Sequence, residues 1–305
     1  MRTPSPRRIM AGAALSAIAA ASLVGVTACG SASTTASRPA AVSTTATPVQ
    51  TPQPALRMVS NHGHKLAFHV TPGHLPAIVL DAGGGADSSY WKDLAPALAK
   101  ATGSEIITYD RAGMGASDDV PGPWKVGDAV SDLQAGLTAV GATHDVILVS
   151  HSEAGEIATY FARANPQWLD GAVLVDASLP GFYTDNEIAR IVAVNKGQIA
   201  ALATQPSTQQ TRQLIAVAQD YAPMHRAYHQ VTWPQTVPVT VIASAKTPFV
   251  TSPADAQRWR DTQVAFGHDG TNHDYILAPN TSHDVPLERP DIVIQAITNM
   301  IHQNG

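Results

Sequence analysis

The sequence predicts an α/β fold, a mostly parallel β-sheet with helices on both of its faces. Short apolar runs rich in valine, isoleucine and leucine recur along the chain without polar alternation, which is the composition of strands that are buried on both faces. Stretches of helical length separate these runs, as parallel strands joined by crossover helices require. The 305 residues are 44% hydrophobic and 14% charged, which is enough apolar chain for one substantial core.

Each predicted element follows from a local pattern. Two short apolar stretches flank His62-Gly63 and indicate a hairpin, and the remaining strands are uninterrupted apolar runs. The predicted strands are 58–60, 65–70, 77–81, 105–109, 146–149, 171–175, 237–244 and 274–277. Helices are predicted where apolar residues recur every three or four positions. The predicted helices are 88–101, 126–140, a segment that begins just after residue 152, 253–263 and 291–301, with several further helical runs in 180–234.

The first 28 residues predict a lipoprotein signal peptide that is not part of the fold. Arg2, Arg7 and Arg8 form a basic start, and a weakly apolar stretch follows them. The sequence Val-Thr-Ala-Cys-Gly at 26–30 resembles a bacterial lipobox, in which the cysteine becomes the acylated first residue of the mature protein. Cys29 is the only cysteine in the chain. We therefore expect a lipid on Cys29, with ordinary secretion by cleavage nearby as the alternative.

Residues 29–55 predict a disordered linker between this anchor and a folded domain at 56–305. The linker is rich in Ser, Thr, Ala and Pro and nearly free of charge, so it cannot bury enough apolar surface to fold. We expect an exported protein that is lipid-anchored on the outer face of the cell membrane. The net charge of −5 and the lack of a basic run in the domain argue against nucleic acid as a partner.

The stretch 146–155 indicates the chemistry. An apolar run ends at Val149 and is followed by the small residue Ser150, by His-Ser-Glu, and by the small residue Ala154, after which helical spacing begins. A strand that turns sharply into a helix with a serine at the turn is a nucleophile elbow. Serine is a weak nucleophile unless a neighbouring base takes its proton. Ser152 therefore predicts a serine enzyme whose histidine comes from another part of the chain.

Four motifs, in this order along the chain, resemble those of the α/β-hydrolase superfamily over about 57–303. They are the glycine loop 83–85, Tyr-Asp-Arg-Ala-Gly-Met-Gly at 109–115, the Ser152 elbow, and Asn-Thr-Ser-His-Asp at 280–284. The sequence departs from the usual pattern in three places. Ser150 and Ala154 replace the glycines of the elbow, Ala82 replaces a histidine before the glycine loop, and the acid is absent where many relatives carry it. The resemblance implies an α/β-hydrolase fold with a helical cap insert, which here is about 180–234.

The resemblance also implies a base and an acid. His283 stands where the superfamily has its catalytic histidine, and His273 is the alternative. Many relatives carry the acid after the next-to-last strand, but here the first carboxylate beyond that strand is Asp255. Some members use the end of the strand after the elbow helix, which is Asp176 here, and active sites of open α/β sheets lie beyond such strand ends. The expected triad is Ser152, His283 and Asp176, with Asp255 as the alternative acid.

Two backbone N–H groups are expected to form an oxyanion hole. One belongs to Glu153, which follows the nucleophile at the start of a helix. The spacing in relatives implies that the other belongs to Gly84, with the glycine on either side as the alternative. The loop 110–115 is expected to be structural, with Arg111 paired to a carboxylate such as Asp118.

The expected cap carries side chains that suit an apolar pocket with a few polar groups. The candidate pocket residues are Tyr183, Met224, Tyr228 and Trp233. Other positions in the cap, among them His225 and His229, are candidates either to line the pocket or to face solvent. The histidines lack metal-ligand spacing and no dinucleotide fingerprint opens a helix, so no metal and no cofactor are expected.

Together these observations predict a serine hydrolase that cleaves carboxylic esters or similar small acyl substrates through an acyl-enzyme. Its expected partners are this small molecule and the membrane. An amidase or peptidase, a C–C hydrolase and a perhydrolase can use the same groups, because the fold does not determine the reaction. The alternative from another class is a non-catalytic or weakly active surface binding protein on a hydrolase scaffold. The altered elbow and the missing acid after the next-to-last strand motivate that alternative.

Overall fold

The computed structural model describes residues 53–204 and 206–304. The predicted signal peptide, Cys29 and the linker up to residue 52 lie outside the described residues. Within the described residues, no helix is long and apolar enough to span a membrane.

An eight-stranded sheet forms the centre of the described chain. Its strands are β1 (Ala55–Asn61), β2 (His64–Thr71), β3 (His74–Asp81), β4 (Ser104–Asp110), β5 (Val146–His151), β6 (Leu169–Val175), β7 (Val239–Ser244) and β8 (His273–Ala278). Their spatial order is β1-β2-β4-β3-β5-β6-β7-β8. Every neighbouring pair in the spatial series β4-β3-β5-β6-β7-β8 is parallel, whereas β2 pairs antiparallel with both β1 and β4. The predicted α/β fold with a mostly parallel sheet is confirmed.

Helices cover both faces of this sheet. They are α1 (Leu94–Thr102), α2 (Val126–Val140), α3 (Ala154–Ala164), α4 (Asp185–Leu202), α5 (Gln209–Gln219), α6 (Tyr221–His229), α7 (Pro253–Phe266), α8 (Val285–Glu288) and α9 (Pro290–Asn304). Successive strand side chains point to opposite faces, so β5 contributes to two cores. Val146 and Leu148 pack on the side of α2 and α3, and Ile147 and Val149 pack on the side of α1 and α9. This double burial is why the run 146–149 of β5 is apolar throughout.

One predicted helix is wrong at its start, over residues 88–93. The sequence predicted a single helix at 88–101, but a short 3-10 turn at Ser88–Trp91 precedes α1, which begins at Leu94. Proline lacks an N–H and its ring fits an α-helix only in the first turn, and Pro96 is the third residue of α1. The helix therefore cannot continue back through residues 88–93. The side chain of Asp87 instead caps the short turn by accepting from the Ser89 N–H at 2.9 Å.

The helices α4, α5 and α6 occupy the segment in which a cap was expected. Aromatic side chains of this segment pack with two aromatics that follow β7, and the ring centroids of Phe182 and Phe249 are 5.0 Å apart. Tyr228 is fully buried and its hydroxyl donates to the Ser178 carbonyl at 2.9 Å. Because Ser178 and Phe249 follow β6 and β7, these contacts hold the segment at the carboxyl ends of the strands.

Candidate active site

The turn between β5 and α3 holds Ser152 in a strained backbone conformation. Its φ is +57°, in the left-handed region that few residues other than glycine adopt. The Ser152 carbonyl accepts from the N–H groups of Gly155 at 3.0 Å and Ser178 at 2.8 Å, which fixes the turn. A Cβ on Gly155 would lie 2.4 Å from the Ser178 carbonyl oxygen. The strict need for glycine thus falls on Gly155, and the turn accommodates the buried side chains of Ser150 and Ala154.

Ser152, His283 and Asp176 form a continuous chain of hydrogen bonds. Oγ of Ser152 lies 2.8 Å from Nε2 of His283, and Nδ1 of His283 lies 2.6 Å from Oδ2 of Asp176. The three residues follow β5, β8 and β6, so they meet beyond the carboxyl ends of parallel strands. Since the carboxylate accepts the Nδ1 hydrogen, Nε2 is left free to accept the serine proton.

Asp176 is fully buried and accepts from three side chains and one backbone N–H. Besides His283, the Trp259 indole N–H donates at 2.9 Å, and the hydroxyl and N–H of Ser244 donate at 2.7 and 3.2 Å. Burial by itself would raise the pKa of Asp176. The hydrogen bond and charge of His283 and the bonds from Trp259 and Ser244 outweigh burial, so the pKa is lower than that of an ordinary aspartate. The carboxylate therefore stays charged and orients the imidazole.

The alternative acid and the alternative base are hydrogen-bonded to groups outside the triad. Asp255 accepts from Arg190 at 2.6 Å and from the Ser252 hydroxyl at 2.5 Å, at the start of α7. His273 is buried and its Nδ1 donates to the Phe266 carbonyl at 2.7 Å. Among the described residues, neither Asp255 nor His273 is hydrogen-bonded to any member of the expected triad.

His151 supports the loop that carries His283, a role that the sequence did not indicate. Its Nε2–H donates to the His283 carbonyl at 3.0 Å, and its ring stacks on Tyr90 with centroids 5.0 Å apart. Burial, together with the charge of His283, lowers the pKa of His151 from 6.5 to about 3. The ring is therefore neutral at pH 7. His151 and His283 are 132 residues apart in the chain, so no local pattern links them.

The glycine loop after β3 lies directly against Ser152. A Cβ on Gly83 would lie 3.0 Å from Cβ of Ser152, and a Cβ on Gly84 would lie 2.7 Å from Oε2 of Glu153. Within the described chain, the N–H groups of Gly84 and Glu153 donate to no protein acceptor. Both are thus available to a ligand bound at Ser152. Gly85 instead has a φ of +71° and lies against a side chain of α5.

Arg111 pairs with the carboxylates of Asp81 and Glu153, and not with the expected Asp118. The Asp118 carboxylate accepts from the Lys65 N–H at 2.8 Å, so the expected pair with Arg111 does not form. Arg111 instead donates to the Gly83 carbonyl at 2.5 Å and lies 3.5 Å from Oε1 of Glu153. Arg111 therefore connects the 110–115 loop to the glycine loop 83–85.

The four predicted pocket residues do not converge on Ser152. Tyr183 and Tyr228 are buried, and their hydroxyls bind Ser178, with Tyr183 donating to the serine hydroxyl at 2.9 Å. Trp233 belongs to the main core and donates to a backbone carbonyl at 2.8 Å. Met224 is partly exposed on α6. Three of the four therefore join the cap to the domain or fill the core.

A cavity of about 650 Å³ lies beside Arg111. It opens between the β1–β2 hairpin, the start of α2 and α5, with Trp124 and Ile215 among its apolar walls. Arg111 and Gln213 also line it, and both contact Glu153. None of the predicted pocket residues lines this cavity. A second cavity, of about 420 Å³, includes Trp233 and residues of α7.

The charged groups near Ser152 are paired with one another. Arg111 pairs with Glu153 and Asp81, and Nε2 of His225 lies 2.7 Å from Oε1 of Glu156 on α3. Across residues 53–204 and 206–304, no three histidine, cysteine or carboxylate side chains are placed to bind one metal ion.

The profile of the alpha/beta hydrolase family matches residues 78–296, which covers the glycine loop, the Ser152 elbow and the loop of His283. The chain belongs to the alpha/beta hydrolase family. The superfamily resemblance carried by the four motifs is thereby confirmed.

Individual proteins similar to this α/β hydrolase support its fold and do not assign its substrate. The uncharacterized protein Rv2715 of Mycobacterium tuberculosis is 33% identical over 124 residues, which is 41% of this chain and 35% of the relative, so the match spans about a third of the relative's length. A hydrolase from Pseudomonas aeruginosa has a TM-score of 0.59 at 20% identity, over 81% of this chain and 98% of that one. A thermophilic esterase from Thermogutta terrifontis has a TM-score of 0.58 at 20% identity, over 83% and 99%. At these identities the similarity shows the fold alone.

Proposed function

We propose that this protein is a serine hydrolase that cleaves carboxylic esters or similar small acyl substrates through an acyl-enzyme. The hydrogen-bonded chain of Ser152, His283 and Asp176 carries the proposal, because nucleophile, base and orienting acid lie within hydrogen-bond reach. One protein that shares the fold is an esterase, which supports esters as the first substrate class to test.

In the first half-reaction, Oγ of Ser152 attacks the ester carbonyl carbon while Nε2 of His283 takes the serine proton. The carbonyl oxygen becomes an oxyanion, and the N–H groups of Gly84 and Glu153 donate to it. The charged imidazole is stabilised by Asp176. The tetrahedral intermediate then collapses as His283 gives its proton to the leaving alcohol oxygen, and the acyl group stays on Ser152.

In the second half-reaction, water replaces the alcohol. His283 takes a proton from this water as it attacks the acyl carbon, and the same two N–H groups bind the new oxyanion. Collapse breaks the bond to Oγ, and His283 returns the proton to Ser152. The carboxylic acid leaves and the enzyme is regenerated.

A fluorophosphonate probe tests this proposal directly, because it reacts with an activated serine and not with an ordinary one. We expect wild type to be labelled and to hydrolyse p-nitrophenyl esters, and Ser152→Ala to do neither. The surface variant Ser207→Ala is the matched control and should label like wild type. Absent labelling of wild type would favour a non-catalytic binding protein, and equal labelling of Ser152→Ala would contradict Ser152 as the nucleophile. A series of p-nitrophenyl esters of increasing acyl length then identifies the preferred substrate.

We also propose that the enzyme is exported and lipid-anchored through Cys29 on the outer face of the cell membrane. The basic start, the apolar stretch and the lipobox-like sequence before Cys29 support this location.

A further inference from the structure

A buried arginine lies behind the oxyanion loop. Arg111 directly follows β4 and is 5% exposed. Its guanidinium donates to the Gly83 carbonyl at 2.5 Å, and lies 3.5 Å from carboxylate oxygens of both Asp81 and Glu153. A buried charge is costly unless it is paired and hydrogen-bonded. These partners therefore fix Arg111, and Arg111 in turn fixes them.

The bond to Gly83 sets the direction of the neighbouring N–H. The peptide between Gly83 and Gly84 is trans, so its C=O and its N–H lie in one plane and point in opposite directions. Because Arg111 holds the oxygen, the Gly84 N–H points away from Arg111. The Ala86 N–H donates to the same oxygen at 3.2 Å. Two donors thus fix the plane of the peptide that carries one expected oxyanion donor.

The same guanidinium holds the residue that carries the other expected donor. The Glu153 carboxylate pairs with Arg111, accepts from Gln213 of α5 at 3.1 Å, and lies against Gly84. The Glu153 N–H starts α3 beside the nucleophile. Arg111 therefore touches one group on each side of the expected oxyanion hole, a peptide oxygen on one side and a carboxylate on the other.

We propose that Arg111 is the positioning residue of the oxyanion hole, because it holds Gly83 and Glu153 so that the N–H groups of Gly84 and Glu153 converge on one oxygen. The positive charge of Arg111 beside the Gly83 oxygen also polarises that peptide and makes its N–H a stronger donor. Arg111 acts through these two residues and touches no reacting atom. This proposal rests on the proposed function, since an oxyanion hole has a role only if Ser152 is acylated.

Arg111→Lys is the variant that tests this role. Lysine keeps the charge beside Asp81, but a single ammonium lacks the planar fork that spans the Gly83 carbonyl and Glu153. We expect kcat for a p-nitrophenyl ester to fall by about 10- to 100-fold, which approaches the loss of one oxyanion donor. We expect KM to change by less than about twofold, because the interaction strengthens only in the transition state.

Butylboronic acid separates a positioning role from a merely structural one. It forms a tetrahedral adduct on an active serine, and one of its oxygens occupies the oxyanion hole. Its affinity for Arg111→Lys should fall by the same factor as kcat. Glu153→Gln, which keeps the backbone N–H but weakens the pair with Arg111, should lower both quantities in parallel and provides the test if Arg111→Lys does not fold.

Arg190→Lys is the matched control, because Arg190 also pairs with two carboxylates, those of Glu187 and Asp255, but away from Ser152. It should keep wild-type kcat and boronate affinity. An active wild type with unchanged kcat in folded Arg111→Lys, or a loss of kcat without loss of boronate affinity, would overturn the role of Arg111 and leave the proposed function standing. A wild type that neither labels nor hydrolyses would overturn both.

Discussion

At the residue scale, the two candidate acids give opposite expectations. Asp176→Asn should lower kcat by about 10³- to 10⁴-fold, because an amide cannot stabilise the imidazolium and favours the wrong imidazole tautomer. Asp255→Asn should leave kcat within about twofold of wild type, since Asp255 binds Arg190 and Ser252 outside the site. Both are measured by p-nitrophenyl butyrate turnover, with melting temperatures as the check on folding. Equal effects, or a larger effect of Asp255→Asn, would contradict the proposed triad.

His151 makes the folded state sensitive to acid. Its pKa falls from 6.5 to about 3 on folding, so protonation favours the unfolded chain. The stability that neutral His151 contributes is complete above pH 6.5 and is lost as the pH falls towards 3. His151→Gln keeps an N–H for the His283 carbonyl and does not titrate.

This difference is measured by urea unfolding of both proteins at pH 7, 6, 5 and 4. The free energy of unfolding of His151→Gln relative to wild type should rise on acidification, by up to about 1.4 kcal/mol per pH unit. Taking the difference cancels the titration of groups common to both proteins, such as Asp81, whose pKa burial raises to about 6 despite the opposing charge of Arg111. A difference that stays constant with pH would contradict a buried neutral His151.

At the scale of the elements, sequence predicts what depends on local pattern. β5 was predicted at 146–149 and spans Val146–His151, because an uninterrupted apolar run needs only its own residues to be identified. The helix predicted at 88–101 is wrong at its start, because apolar spacing alone does not show that Pro96 fits only the first turn of a helix. The bounds of the elements were therefore predictable to within a few residues, except where a single residue such as Pro96 limits the start of a helix that the apolar spacing would extend.

A buried contact joins α6 to α3. Nε2 of His225 lies 2.7 Å from Oε1 of Glu156, both side chains are 2% exposed, and the ring packs against Tyr183. His225→Phe keeps the packing but leaves the buried carboxylate without this donor. We expect the free energy of unfolding to fall by about 3 kcal/mol, as when one partner of a buried pair is removed. Chemical denaturation measures this, and limited proteolysis should become faster within α4 to α6.

Arg226→Met, at the next position of α6, is the control for this joint. Arg226 pairs with Asp185 at 2.9 Å, but the two side chains are 58% and 83% exposed, so the pair contributes about 0.5 kcal/mol or less. A loss in Arg226→Met as large as that in His225→Phe would show that the buried joint has no special role.

At the scale of the whole molecule, the site divides into a predictable and an unpredictable part. The elbow of Ser152 is local, and the rule that sites lie beyond strand ends directs attention to Asp176, which is why the sequence proposed the residues that the fold brings together. The support around them is not local. Arg111 and Gly83 are 28 residues apart in the chain, and His151 and His283 are 132 apart. The pocket expected at Tyr228 and Trp233 depended on side-chain directions, which a periodic pattern does not determine.

Anchoring and catalysis should be separable in the intact protein. The proposed lipid is on Cys29, whereas the proposed nucleophile Ser152 lies in a domain whose first strand begins at Ala55. Cys29→Ser should therefore move the protein from the membrane fraction to the soluble fraction, because acyl chains supply the proposed membrane affinity. Its specific activity on a soluble p-nitrophenyl ester should match that of wild type.

Cell fractionation with immunoblotting measures the location of the protein. Turnover per mole of active sites, titrated by fluorophosphonate, measures its specific activity. Ser33→Ala is the control and should remain in the membrane fraction. Retention of Cys29→Ser in the membrane fraction would require another anchor. Lost specific activity in a folded Cys29→Ser variant would mean that catalysis depends on the membrane, and that anchoring and catalysis are not separable.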